Sequence, residues 1–173
     1  MNRTWRNTLA GACGVLLFAA ASHGAATAAG QAGLDRLKEL AGDWTVTGGP
    51  EGVEGSIVSY RVTGGGSTVV ETMFGGTDHE MITVYHLDGD DLVLTHYCAA
   101  GNQPRMKAAR SDDADRLEFR FDGGTNVHPK KGFHMHNATI TFKGPDAVRA
   151  EWEAFKDGAT DHVGTFDLSR RKP

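Results

Sequence analysis

The fold of this chain is decided by the stretch LDRLKELAGDW, residues 34–44. Its three leucines recur at the spacing of one helical face, and charged residues fill the positions between them. Gly42 follows as a helix stop, and from Trp44 onward the apolar period changes from helical to alternating. The stretch therefore predicts a short amphipathic helix immediately before a first strand.

Short segments of alternating polarity follow this helix, separated by Gly and Asp turns, and no later run has a convincing helical period. The predicted strands open at residue 44 and continue with 58–62, 67–74, 78–87, 91–99, 103–109, 117–121, 134–142, 148–155 and 160–169. Strands at this spacing indicate an all-β sandwich or barrel. Because closure removes exposed edge strands, we predict a single antiparallel up-and-down β-barrel of about ten strands with a short N-terminal helix.

The clearest hairpin is built around the turn Asp88-Gly89-Asp90, whose residues tolerate the left-handed conformation of a tight turn. A turn centred there pairs Tyr85 with Leu94 and Thr83 with His96 on one face. Neither face of this hairpin is plainly polar, so the pattern leaves open which of them points inward.

The first 28 residues have the pattern of a secretory signal peptide. Two arginines precede the apolar run 9–21, and Ala26-Thr27-Ala28 fits the small-residue cleavage site. The apolar run is shorter than the ~20 residues of a transmembrane helix. We therefore predict a periplasmic or secreted protein in which residues 29–173 form one barrel domain.

Charge and cysteine content limit the partners of this domain. The full chain carries a net charge of −4, and the predicted signal peptide contains basic but no acidic residues, so the exported part is more acidic still. An acidic chain without a basic stripe argues against nucleic acid or a membrane surface as a partner. Cys98 is the only cysteine after residue 28, so we expect a monomer stabilised by its core without an internal disulfide.

The segment Leu40-Ala41-Gly42-Asp43-Trp44 after a short helix resembles the opening of lipocalin-like (calycin) barrels. In that family the tryptophan packs against a basic residue near the end of the barrel, where Arg170 or Arg171 stands here. The strand number is similar to that of the ten-stranded members, the fatty-acid-binding and nitrobindin-like barrels. Residues 81–106 resemble a group of exported bacterial proteins of unknown function, and that resemblance implies no activity.

Histidines are the main candidates for a site. His96, His134, His136 and His162 each alternate with apolar residues in their own strands, which predicts that they share the core face. Imidazole can hydrogen-bond a ligand or bind zinc, copper or haem iron. The spacing His134-x-His136 sends both rings to one face of a strand, where two rings can share a metal.

We predict that the domain binds a small, largely apolar molecule whose identity the sequence leaves open. The proposed polar contacts are His96, His134, His136, Tyr85 and Arg105, the last of these at the rim of the barrel.

Three alternatives remain open. Nitrobindin-like barrels bind haem through a histidine near the chain's end, so the resemblance implies His162 as a haem ligand, and the pair His134 and His136 could hold a metal. A barrel enzyme with a histidine general base is the second alternative, although no Gly-x-Ser-x-Gly, His-Glu-x-x-His or Cys-x-x-Cys motif supports one and no catalytic residue is assigned. The third is a filled barrel that acts through its surface.

Overall fold

The computed structural model describes residues 21–111 and 113–172, with side chains from residue 29 onward. The predicted signal peptide therefore lies outside the described residues, apart from the helical backbone from residue 21. The helix α1 (Ala21–Lys38) comes first. The strands are β1 (Gly42–Gly48), β2 (Ile57–Thr63), β3 (Thr68–Met73), β4 (Met81–Asp88), β5 (Asp91–Tyr97), β6 (Gln103–Ala108), β7 (Arg116–Thr125), β8 (Phe133–Phe142), β9 (Ala147–Lys156) and β10 (Ala159–Arg170). A short 3-10 helix, Gly64–Gly66, joins β2 to β3.

The ten strands form a closed barrel. Each strand pairs antiparallel with its neighbours in the chain, and β1 completes the circle by pairing with β10. The prediction of a single antiparallel up-and-down β-barrel with a short N-terminal helix is confirmed. None of the described helical residues belongs to a segment long and apolar enough to cross a membrane.

The β4–β5 hairpin has the register that its turn predicts. Tyr85 pairs with Leu94 and Thr83 with His96, and all four side chains are buried. This face therefore points into the barrel, which settles the orientation that the sequence left open. The interior of the barrel is mostly apolar and rich in large side chains, among them Trp44, Tyr60, Met106, Phe119 and Trp152.

The helix α1 closes one end of the barrel, where it packs against the β4–β5 turn. Its leucines, which include Leu34 and Leu37, are buried in the core, as the helical period predicts. A Cβ atom added at Gly30 would lie 2.3 Å from the carbonyl oxygen of Asp90, so a glycine is needed for this close approach. We call the opposite end, formed by the loops that follow β1, β3, β5, β7 and β9, the open end.

A cation–π contact joins the two ends of the chain where the barrel closes. The guanidinium carbon of Arg170 lies 4.3 Å from the centre of the Trp44 ring. The same guanidinium donates hydrogen bonds to the carbonyl oxygens of Ala41 at 3.0 Å and Glu39 at 2.7 Å. Of the two arginines that the resemblance implied, Arg170 and not Arg171 is the partner of the tryptophan, and it connects the end of α1 with β1 and β10.

We predict that Arg170→Met lowers the free energy of unfolding by about 2–3 kcal/mol, because it removes the cation–π contact and charged hydrogen bonds to backbone carbonyls. The matched control is Arg171→Met, since Arg171 is exposed and its side chain makes no hydrogen bond, ion pair or cation–π contact within the described chain. Chemical denaturation of both variants measures the difference. Equal stabilities of the two variants would contradict the prediction.

Candidate functional site

Four polar side chains form a row inside the barrel. Tyr60 pairs with Glu71, Glu71 with Thr83, and Thr83 with His96, so the row crosses the adjacent strands β2, β3, β4 and β5 at matching positions. All four are buried, and Glu71 and His96 are each only 1% exposed. We call Tyr60, Glu71, Thr83 and His96, together with Tyr85, the polar row.

Hydrogen bonds join the side chains of the polar row in two groups. The Tyr60 hydroxyl donates to Oε1 of Glu71 at 3.1 Å, and the Tyr85 hydroxyl donates to Oε2 at 2.6 Å. Oγ1 of Thr83 lies 3.0 Å from Nδ1 of His96. The two groups are adjacent, because Glu71 and Thr83 face each other across β3 and β4.

Burial controls the protonation of this network. Burial raises the pKa of Glu71 above its ordinary value, and the hydrogen bonds from Tyr85 and Tyr60 and the nearby Thr83 hydroxyl oppose that rise. The pKa values of Tyr60 and Tyr85 lie well above 10, first because of burial and second because of the Glu71 charge, so both phenols remain hydrogen-bond donors. Burial lowers the pKa of His96 to about 4, which leaves its imidazole neutral at neutral pH.

One nitrogen of His96 has no partner in the described chain. Nδ1 contacts Thr83, whereas Nε2 is buried and makes no hydrogen bond to any described residue. Its ring lies against Trp152, with 4.7 Å between the ring centres. A buried polar atom without a partner costs about 1–3 kcal/mol. This nitrogen is therefore the clearest place at which a bound molecule would add a missing interaction.

A β-bulge in β8 lies at the predicted pair of histidines, His134 and His136. Pairing with β9 shifts between Met135 and Asn137, so that Met135 packs against the core in phase with Ala138. The bulge interrupts the alternation that linked the two histidines to Ala138, although His134 is buried and His136 half-buried. The two rings lie together, since Nε2 of His134 is 3.0 Å from Nδ1 of His136.

These two histidines belong to an aromatic cluster at the open end. The His136 ring stacks on Phe155 with 3.6 Å between ring centres and on Phe121 with 4.6 Å. The cluster lies beyond the last residues that pair β7 with β8. Burial lowers the pKa of His134 and of His136, and for His136 the neighbouring His134 adds to that effect. His134 is 1% exposed, and its Nδ1 has no partner among the described residues.

Asn102, in the β5–β6 loop, belongs to the same end of the barrel. Its Nδ2 donates to the carbonyl oxygen of Phe133 at 2.6 Å, whereas its buried Oδ1 has no partner in the described chain. Asn102 therefore connects the loop after β5, the strand of His96, to the start of β8, the strand of His134.

The Arg105 side chain lies on the outer face of β6, away from the barrel interior. Its neighbours Pro104 and Met106 are buried, and the Arg105 guanidinium pairs with Asp88 at 2.5 Å and lies 3.6 Å from Asp122. The structure therefore brings His96 and Tyr85 together in the polar row and His134 and His136 together in the cluster, but it sets Arg105 apart from both groups.

His162 lies at the open rim of the barrel. It faces Ala154 across the sheet, but its side chain is 54% exposed and Nδ1 contacts Oδ2 of Asp161 at 2.8 Å. The assignment of a haem to His162 stays a prediction. Within the described residues, no group of three or more His, Cys, Asp or Glu side chains is arranged to hold a metal ion.

The sequence analysis did not identify Glu71 as a candidate. The alternation of β3 could have identified it, because Glu71 shares one face of the strand with Val69 and Met73, and all three are buried. A carboxylate on the apolar face of a strand is rarely buried unless it is hydrogen-bonded or paired. Its position therefore indicates a structural or functional role.

Fold and interior together define the class of this protein: a closed ten-stranded antiparallel barrel, consistent with calycin-like barrels, whose core contains a buried polar row. No protein-family model matches the chain, and no curated protein matches its sequence to a significant degree.

We predict that Tyr85→Phe lowers the free energy of unfolding by about 2 kcal/mol, because it removes a hydrogen bond to a buried carboxyl group. The control is Tyr97→Phe. Because Tyr97 is 50% exposed, removal of its hydroxyl should change the free energy of unfolding by less than about 0.5 kcal/mol. Urea denaturation measures both variants. A Tyr85→Phe protein as stable as the control would show that this hydroxyl does not support Glu71.

We predict a pH dependence of stability from His96. Its pKa falls from 6.5 to about 4 on folding, so its contribution is fully present above pH 6.5 and is lost as the pH falls toward 4. Between about pH 7 and about pH 5 this loss amounts to about 2 kcal/mol. His96→Gln should remove that part of the slope in denaturation experiments across this range.

Comparing the His96→Gln variant with the wild type isolates the contribution of His96 to the pH dependence of stability from those of the other titratable groups. The pKa values of His134 and His136 are lowered too and add a loss of the same sign, whereas the raised pKa of Glu71 acts in the opposite direction. Both effects are common to the two proteins and cancel in the difference. Parallel stability curves for wild type and His96→Gln would contradict the prediction.

Proposed function

We propose that this protein is an exported small-molecule-binding barrel whose ligand sits against His96. The observation that carries the proposal is the buried Nε2 of His96, which has no hydrogen-bond partner among the described residues. Export rests on the signal-peptide pattern of residues 1–28. Ligand sites in proteins are mostly apolar with a few placed polar groups, and the barrel interior has that composition.

The surroundings of His96 support a site for a small, largely apolar molecule. The imidazole is fixed on one side by Thr83 and flanked by the Trp152 ring, so it is held in a defined orientation. Apolar side chains such as Leu94 and Met106 occupy the same interior. Asn102 and His134, each with a buried unpartnered atom, lie toward the open end, where a ligand would enter.

Binding fits this histidine better than general-base catalysis. Efficient general bases have pKa values near the working pH, whereas the pKa of His96 is about 4. A neutral imidazole with such a low pKa accepts a hydrogen bond but is a weak proton acceptor in a reaction.

A surface groove lies at the helix end of the barrel. It has a volume of about 470 Å³ and lies between α1 and the β6–β7 loop. Three arginines line it; Arg36 pairs with Glu39 and Asp115, and Arg116 pairs with Glu118. None of the buried side-chain atoms that lack a partner in the described chain belongs to this lining.

We predict that the domain purified from its own export compartment retains a small molecule that His96→Gln no longer retains. Native mass spectrometry compared with the denatured mass measures any bound molecule. The matched control is His86→Gln, because His86 lies on the same hairpin and faces away from His96.

Three outcomes separate the possibilities. An extra mass in the wild type and in His86→Gln, but not in His96→Gln, supports the proposal. An extra mass that persists in His96→Gln would place the ligand elsewhere and contradict the site. If the wild type carries no extra mass, and a library of small apolar compounds leaves the His96 ring signals in NMR spectra unchanged, the protein is not a binding barrel of this kind.

A further inference from the structure

The barrel has a seam at its open end, between the last part of β7 and the first part of β8. The backbone pairing of these two strands ends at Arg120 and Asn137. Beyond that point residues 121–125 of β7 pair with β6, and residues 133–135 of β8 pair with β9. In the described chain the seam is therefore closed by side chains, and not by a ladder of backbone hydrogen bonds.

Two histidines from β8, which we call the histidine pair, lie across this seam. The His136 ring stacks on Phe121 of β7 and on Phe155 of β9, with 4.6 Å and 3.6 Å between ring centres. The His134 ring lies 5.1 Å from that of Phe121, and its Nε2 is 3.0 Å from Nδ1 of His136. The Phe121 amide adds one more contact across the seam, because it donates to Oδ1 of Asn137 at 3.2 Å.

The hydrogen bond within the histidine pair limits how many protons the pair can carry. Two neutral rings share two protons among four nitrogens, so one proton can lie between the rings. A further proton leaves that bond in place but protonates both outer nitrogens. One of these is Nδ1 of His134, which is buried and has no acceptor in the described chain, so its N–H group would lose water without gaining a partner. Full protonation of the pair would set two N–H groups and two positive charges against each other at 3.0 Å.

The groups around the histidine pair only partly offset this disadvantage. From β9 the nearby Glu153 carboxylate favours protonation of His136. From β7 the pair meets the uncharged ring of Phe121, whose face also favours a cation. From β10 the titratable ring of His162 stacks on Phe133, next to the pair. Burial outweighs the favourable contributions, since it lowers the pKa of both members of the pair.

We infer that the histidine pair is a pH-sensitive switch, which keeps β7 and β8 together at the open end while it is neutral and lets them separate when it is protonated. Separation exposes the rings to water, which hydrogen-bonds each N–H group and solvates the charges. Because an exposed histidine has a pKa of about 6.5, the equilibrium shifts toward separation as the pH falls below that value. The inference does not depend on a ligand at His96.

Hydrogen exchange followed by NMR measures the separation directly. The Phe121 amide donates across the seam, so its protection factor, the intrinsic exchange rate divided by the measured rate, reports whether the seam is closed. We expect this factor to fall about tenfold or more between about pH 7.5 and about pH 5. A protection factor that stays constant over this range would overturn the inference.

Variants identify the group that titrates. His134→Gln keeps an amide that can donate to or accept from His136, so the bond between them survives in either protonation state. The fall in protection of the Phe121 amide should therefore shrink to about threefold or less. The matched control is His162→Gln, which removes another titratable ring at the same rim and should keep the wild-type response. An unchanged response in His134→Gln, or a lost response in His162→Gln, would contradict the inference.

Titration of the histidine rings keeps the test decisive if His134→Gln does not fold. NMR spectra of the wild type follow each ring against pH, and His96, with a pKa of about 4, titrates separately. We expect the rings of His134 and His136 to titrate over the same pH range in which the Phe121 amide loses protection. Loss of protection while both rings are still neutral, or full protonation of both rings with protection retained, would overturn the inference.

Discussion

The contact between Arg170 and Trp44 is the interaction on which the rest of this molecule depends. It fixes the last strand over the first and connects both to the end of α1, so the sheet closes at the place where its edges would otherwise be exposed. The closed sheet encloses an interior in which side chains are buried on all sides. The raised pKa of Glu71 and the lowered pKa of His96 both depend on burial in that interior.

The polar row places a few buried polar side chains in an otherwise mostly apolar interior. A buried carboxylate is unfavourable unless its oxygens are hydrogen-bonded, and the Tyr60 and Tyr85 hydroxyl groups from the two neighbouring strands meet that need. Thr83 contacts Nδ1 of His96, whereas Nε2 has no partner in the described chain. A purely structural network would be expected to satisfy its last member too, which is why the unpartnered nitrogen argues for a ligand.

Much of the fold could be predicted because its signals are local. The turn at Asp88-Gly89-Asp90 fixes the register of its hairpin, and the helix before Gly42 and Trp44 marks the start of the barrel. The inward face of that hairpin could not be predicted, because both faces are largely apolar. The burial of Tyr85, Leu94, Thr83 and His96 in the closed barrel identifies it.

The candidate site was predicted only in part. His96 and Tyr85 follow from simple alternation, and they do lie in the interior. Alternation is interrupted at His134 and His136 because a bulge inserts one residue into β8, and no single residue type announces such a bulge. Arg105 shows another limit, since a turn sequence places a guanidinium near a rim without saying on which face of the strand it lies.

The polar row also has a consequence for how the barrel assembles. In β3 the adjacent residues Val69 and Val70 are both apolar, so burial of apolar surface alone distinguishes weakly between the native alignment and a slip of one position. Such a slip would turn the Glu71 carboxylate to the outside and leave the Tyr60 and Tyr85 phenols buried without an acceptor. Misaligned barrels are thereby penalised by unpaired polar groups, and the Glu71 carboxylate favours the native alignment of the strands during folding.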